Sequence, residues 1–329
     1  MGTVRTVTGD IDSSDLGVCD AHEHVLIVGG IPVLLDKDFL LDDREKASRE
    51  LTAFKALGGG SVVDMMPAGL GRDPDGLRAL SQQTGVHIIA ATGFHTERYY
   101  DTQHWLYHYS VEQIAHFFRG EIEEGMDQWG YRGPLVQRSD ARAGVIKVAS
   151  LYYRWTANTE KWFEAAAIAQ RATGAPIASH TENGVLGDIQ VERLTSHGVP
   201  ASSIVVGHID KNVDPYVHRE LAAMGVYLEY DSPSRLKYGP DADAVKLIAA
   251  AVEHGYQRQI LLGLDLARRS YYPSYGGGPG LGYLLERFVP RLHAEGLGDV
   301  VPLLLVENPA RAFSMAPVQA ASAAAESRR

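Results

Sequence analysis

Short apolar runs rich in β-branched residues alternate along this chain with longer stretches whose apolar positions recur at helical spacing. The runs predict strands over residues 17–27, 61–66, 87–94, 144–149, 176–180, 204–208, 226–230 and 260–265. Between them the pattern predicts helices, among them 43–57, 111–128, 159–171, 185–197, 241–254 and 281–295. Eight such alternations predict an α/β fold, a closed parallel (β/α)8 TIM barrel. A doubly wound open sheet would carry a glycine-rich nucleotide turn after its first strand, whereas this chain runs into AHEHVLIVGG. The expected organisation is an N-terminal extension over residues 1–16, one barrel domain over 17–315, and an alanine-rich tail over 316–329 expected to be disordered. A long segment, residues 96–143, follows the third strand and carries the stretch YYDTQHWLYHY, as expected of a rim insertion that shapes a pocket.

Composition narrows the function classes. With 45% hydrophobic and 22% charged residues, the chain is that of an ordinary folded protein. A net charge of −10 argues against a surface that attracts nucleic acid, although a local cationic pocket stays open. The single cysteine, Cys19, excludes a disulfide scaffold. There is no apolar leader and no run approaching the ~18 residues of a membrane span, so the expectation is a cytoplasmic protein with no membrane partner.

The candidate chemistry begins at His22-Glu23-His24. Two residues apart on a strand, both imidazoles share a face and could meet one cation, yet such a pair also arises by chance. Position gives it weight. His180 closes APIASH, His208 closes SIVVGH and Asp265 closes ILLGLD, each at the C-terminal end of a predicted strand, where a barrel builds its active site. Together these residues offer nitrogen and oxygen ligands suited to Zn²⁺, Mn²⁺ or a similar ion. Lys147 lies inside the strand run GVIKVAS. Facing inward, its ammonium would be costly to desolvate, and the neutral amine could take up carbon dioxide as a carbamate. On the strand alone, a lysine pointing outward into water is the simpler reading.

A His-x-His on the first strand, a lysine on the fourth, histidines ending the fifth and sixth and an aspartate ending the eighth resemble the phosphotriesterase family of the amidohydrolase superfamily, over residues 17–315. The resemblance implies a binuclear centre: His22, His24 and Asp265 on one divalent ion, His180 and His208 on the other, and carboxylated Lys147 bridging them beside a hydroxide. Zn²⁺ leads among the metals, with Mn, Co or Fe as alternatives. The implied nucleophile is that hydroxide, and Asp265 doubles as the catalytic proton acceptor.

Fold and metals leave the substrate open, so the loops must choose it. YDSPSRLKYG follows the seventh strand and DLARRSYYPSYGGGPG the eighth, a cationic cluster where barrels often bind phosphate. The loops are similar to those of the family branch that hydrolyses phosphorylated sugar lactones, and by that similarity Lys237, Arg268 and Tyr271 grip the phosphate, although Arg269 and Tyr272 leave the register open by one. His95 and Arg98, after the third strand, are candidates to meet sugar hydroxyls or the lactone ring. The expected activity is hydrolysis of a sugar-derived γ- or δ-lactone, an anionic small molecule. Alternatives are a lactonase of neutral acyl lactones with side activity on organophosphates, an amide hydrolase of small acylated compounds, and a noncatalytic binding barrel. A homodimer is left open.

Overall fold

The computed structural model describes residues 2–318. An antiparallel hairpin of β1 (Thr3–Thr6) and β2 (Gly9–Asp12) precedes eight parallel strands: β3 (Val18–Glu23), β4 (Gly59–Asp64), β5 (His87–Gly93), β6 (Val145–Ala149), β7 (Ile177–His180), β8 (Ile204–Gly207), β9 (Tyr227–Tyr230) and β10 (Ile260–Leu262). Each pairs with the next in sequence. The ring closes where the backbone N–H groups of Leu264 and Asp265 donate to the His22 carbonyl, at 3.4 and 2.8 Å. The expected TIM barrel is the fold observed.

Alternation within the strands sorts two cores. Ala21, Val63, Ile89, Ala91, Val145, Ala178, Val205, Tyr227 and Leu261 fill the barrel interior, while Val62, Ile88, Ile146, Ile177, Val206, Leu228 and Ile260 face the helices. Val4 and Leu16 from the N-terminal segment and Phe313 from the C-terminal helix join the interior cluster and plug the end at which the strands begin. Met315 N–H reaches the Thr3 carbonyl at 2.7 Å, tying both terminal segments under the barrel. The other end stays open.

Helix starts follow their capping residues: Asp43 caps Arg44–Ala56, Asp73 caps Pro74–Thr84, and Ser110 with Gln113 forms a reciprocal capping box on Val111–Glu123. That last helix stops five residues short of the predicted 128. Gly125 breaks it at φ +137°, where the Ser139 carbonyl oxygen would lie 2.0 Å from any Cβ. Further on, the buried Arg72 guanidinium bonds Glu121 and, at 2.6 Å, the Ala91 carbonyl, which clamps the long insertion to the barrel wall. Helices Pro74–Thr84 and Pro215–Ala223 complete the outer ring. In the tail expected to be disordered, Ala316 N–H bonds the Gly174 carbonyl at 2.7 Å, and residues 319–329 lie outside the described residues.

Five predicted strands are too long at their C-terminal ends, three of them at candidate site residues. β3 stops at Glu23, β8 at Gly207 and β10 at Leu262, so His24, His208 and Asp265 stand just past the ladder. His208 and Asp265 take φ of 61° and 50°, a left-handed conformation that no strand residue adopts and that costs about 1–3 kcal/mol each.

One glycine position is decided by close approach. Gly93 has φ +101°, and a Cβ there would sit 1.9 Å from the Lys147 carbonyl oxygen. Gly93→Ala should therefore destabilise by about 3 kcal/mol or more in urea unfolding, combining backbone strain and overpacking. Gly85→Ala, where φ is +67° but nothing lies within 4 Å, should cost only about 1–2 kcal/mol. Equal losses at the two positions would contradict the close-approach explanation.

Candidate metal centre

The open end of the barrel gathers side chains that alternation delivers to the interior. Val145 faces inward, and two residues on so does Lys147; Ala178 is followed in the same way by His180, and Tyr227 by Glu229 and Asp231. The first strand breaks this rule. Ala21 is an interior residue, so strict alternation would send His22 outward; the pairing register slips between Asp20 and Glu23, and His22 turns in.

The result is a cluster of rings over a floor of acids. His22 lies 4.7 Å from His208 and 5.7 Å from His24 between ring centres, and His180 lies 4.4 Å from His208. His22 Nδ1 bonds Glu229 Oε2 at 2.7 Å, and His208 Nδ1 bonds Asp231 at 2.7 Å. Burial pulls the basicity of His22, His180 and His208 below its ordinary value, so the rings are neutral. A neutral ring that gives its Nδ1 proton to a carboxylate offers a lone pair at Nε2. His22 Nε2, His24 Nδ1 and both nitrogens of His180 are buried and have no hydrogen-bond partner among the described residues.

Asp265 completes the arrangement. Its Oδ1 is 3.2 Å from His24 Nε2 and 3.8 Å from His22 Nε2. Burial alone would raise its pKa, but the Arg235 guanidinium, ion-paired with Oδ2, and the bond from His24 hold the carboxyl well below the usual carboxylate range. One donor atom from each of His22, His24 and Asp265 falls within 4.8 Å of the others, as does one from each of His22, His208 and Asp231. Unpartnered nitrogens beside an ionised carboxylate, in a buried setting, are a donor set that fits divalent cations.

Lys147 points inward, 2% exposed, with Nζ donating to the Met65 carbonyl at 2.9 Å. The outward-facing alternative is therefore excluded, and burial lowers the amine to about 8.

Above these residues opens a pocket of about 210 Å³ that all the remaining candidates line: His95, Arg98, Lys237, Arg268 and Tyr271. The His95 ring lies 4.5 Å from that of His180, tilted by 55°. Not every cation there is free. Arg98 pairs with Glu182 at 2.6 Å, while Arg268 is bonded to Asp36, lies 3.6 Å from Asp38 and stacks on Phe39. Arg269 turns away to the Leu40 carbonyl and Asp42, and Tyr272 is buried against Glu23. In that loop Arg268 and Tyr271 line the pocket, and Arg269 and Tyr272 are committed elsewhere.

The whole architecture matches proteins already described. A model of the phosphotriesterase family aligns with residues 2–313. The chain belongs to the phosphotriesterase family. Among its relatives, a phospho-furanose lactonase of Mycoplasmopsis synoviae is 36% identical, over 94% of this chain and 91% of the relative. A crystal structure described as an amidohydrolase from Mycoplasma synoviae superposes with a TM-score of 0.93 at 34% identity, covering 97% of this chain and 93% of that one. A phosphotriesterase homology protein from Escherichia coli, solved with phosphate in its active site, gives 0.84 at 28% identity, covering 91% and 99%.

Within this family member, several residues around the centre escape a reading of motifs. Glu229 and Asp231, which orient the two imidazoles, sit in YLEYD, and an acid inside an apolar strand is the same signal that marks Lys147. Lys211 and Tyr238 line the pocket from loops where charge alone gives no direction. Glu229→Gln should preserve the fold but weaken retention of divalent metal about 10–100-fold in chelator competition, because the anionic acceptor that fixes the His22 tautomer and raises its basicity becomes a neutral amide. Unchanged retention would show that Glu229 does not orient His22 for a metal.

Proposed function

We propose that this chain is a metal-dependent lactonase of the family, opening a sugar-derived γ- or δ-lactone that carries a phosphate. The observation that carries the reading is a single pocket in which unpartnered imidazoles and an ionised Asp265 lie beneath a cationic rim. Relatives named phospho-furanose lactonases support the substrate class, and the phosphate recorded in the Escherichia coli homologue supports an anionic arm.

In this reading His22, His24 and Asp265 would hold one divalent cation and His180 and His208 the other, with Lys147, as its carbamate, a further oxygen ligand. When bound, such ions lower the pKa of water and polarise an ester carbonyl, with Zn²⁺ the leading metal. The chain does the rest. Asp265, kept ionised by Arg235, accepts at its carboxylate a proton from the water whose oxygen bonds the ester carbonyl carbon, and passes it to the ring oxygen as the ester C–O bond breaks, leaving the open hydroxy acid. Lys237, Arg268 and Tyr271 meet the phosphate, and His95 and Arg98 meet the ring hydroxyls.

One observation favours a second reading. Arg268 and Arg98 already share carboxylates with Asp36 and Glu182, so part of the rim charge is neutralised, as a lactonase of uncharged acyl lactones would require.

Proton release from matched lactones with and without a phosphate separates the two. Two charge-assisted contacts predict a kcat/KM at least about 100-fold higher for the phosphorylated member. Equal values would leave the neutral-lactone reading standing. Lys147→Ala should lose metal and activity, and a short carboxylic acid should restore both by replacing the carbamate oxygens; full activity of the variant without rescue would remove the bridge from the mechanism.

A further inference from the structure

Tyr238 lies on the loop after β9, three residues past Arg235, whose carbonyl accepts its backbone N–H at 2.9 Å. Its ring stands among three cations from two loops. Lys211 Nζ, beyond β8, is 4.5 Å from the ring centre; Arg235 Cζ and Lys237 Nζ are each 4.6 Å away. All four residues line the pocket over the metal centre.

The three cations differ in their counter-charges. Arg235 is paired directly with Asp265. Lys211 has a side chain only 6% exposed and lies 3.9 Å from Asp265 Oδ2, yet among the described residues no acceptor hydrogen-bonds its ammonium. Lys237 is exposed, and among the described residues no carboxylate lies within ion-pair distance of it. What faces both ammoniums is the negative π-surface of one tyrosine. The phenol registers the same field: burial opposes it, but Lys211 and then Arg235 draw the hydroxyl below its ordinary pKa.

Like charges this close repel, and a long exposed lysine left to itself spreads into solvent. A ring between them offsets the repulsion and limits their rotamers, so that an arriving anion finds the donors already gathered. We propose that Tyr238 is a specificity-determining positioning residue, the aromatic platform that holds Lys211 and Lys237 toward the pocket and on which its preference for an anionic substrate arm depends. The proposal rests on the reading that the substrate carries such an arm. It adds the loops after β8 and β9 to the contact expected of Arg268, whose charge is shared with Asp36 and Asp38.

The test uses the metal-loaded enzyme and its Tyr238→Leu and Tyr238→Phe variants, with matched lactones and with glycerol 3-phosphate as an inhibitor that cannot be hydrolysed as a lactone. Tyr238→Leu should reduce the kcat/KM preference for the phosphorylated lactone about 10-fold, through KM rather than kcat, and raise the glycerol 3-phosphate inhibition constant by a similar factor. Tyr238→Phe, which keeps the ring, should retain both the preference and the inhibition. Tyr238→Met serves the same comparison if the leucine variant does not fold by thermal melting. A leucine variant with wild-type preference and inhibition overturns the proposal, as does a phenylalanine variant that loses them, since the hydroxyl would then carry the effect. If the wild-type enzyme does not discriminate between the lactones, the phosphorylated-substrate reading fails, while the inhibition constants still decide the role of Tyr238. A wild-type enzyme with no affinity for glycerol 3-phosphate overturns both.

Discussion

Two hydrogen bonds beneath the barrel mouth, from His22 Nδ1 to Glu229 and from His208 Nδ1 to Asp231, set the direction in which the imidazole lone pairs point. They are made in a space from which water is excluded, so the rings stay neutral and the acids cannot be solvated in any other way. The backbone makes room for them. At Gly207 a Cβ would lie 2.8 Å from the Glu229 carboxylate, and at Gly263 the same distance from the His22 nitrogen. A side chain at either position would displace the contact that aims His22.

Asp265 depends on a different balance. Its side chain is 12% exposed, close to the buried acids Glu229 and Asp231, and desolvation by itself would favour the protonated form, which is a poorer ligand for a cation. Arg235 supplies the compensation from the neighbouring loop, and Lys211 adds a weaker, longer contact. The same two cations reach the ring of Tyr238, so the charge that keeps Asp265 ionised also opens onto the pocket. Metal centre and substrate rim are thereby one electrostatic unit. The chain as a whole is acidic, at −10, yet Arg98, Lys211, Arg235, Lys237 and Arg268 all line this one pocket.

Loop eight shows how position alters the meaning of a charge. Arg268 and Arg269 are adjacent in sequence, yet Arg268 lines the pocket and Arg269 is committed to Leu40 and Asp42 of loop one. Asp36 and Asp38 then draw on Arg268 itself, while Ser270 is fixed by Asp38. Lys237 lies against the face of Tyr238, and among the described residues no carboxylate pairs with it. Residues of equal formal charge therefore stand differently toward a ligand, because desolvation and pairing differ at each.

The barrel was legible in the sequence because its cause is local: period-two alternation and apolar runs record which face of each strand is buried, and eight repeats leave few topologies. Lys147 and His180 were legible for the same reason, standing at strand positions where a polar residue is conspicuous, and Asp265 as the acid that closes the apolar run ILLGLD. Strand ends were not, since His208 and Asp265 leave the ladder through left-handed conformations stabilised by distant partners. Nor was the inward turn of His22, which requires the register slip against β4. Glu229, Lys211, Arg235 and Tyr238 share a site only because the closed ring brings separate loops to one rim. Sequence by itself determined the fold and the kind of atoms offered at the open end; the tertiary structure decided which of them are neutral, which are paired and which remain available, because burial and ion pairing depend on neighbours far away in the chain.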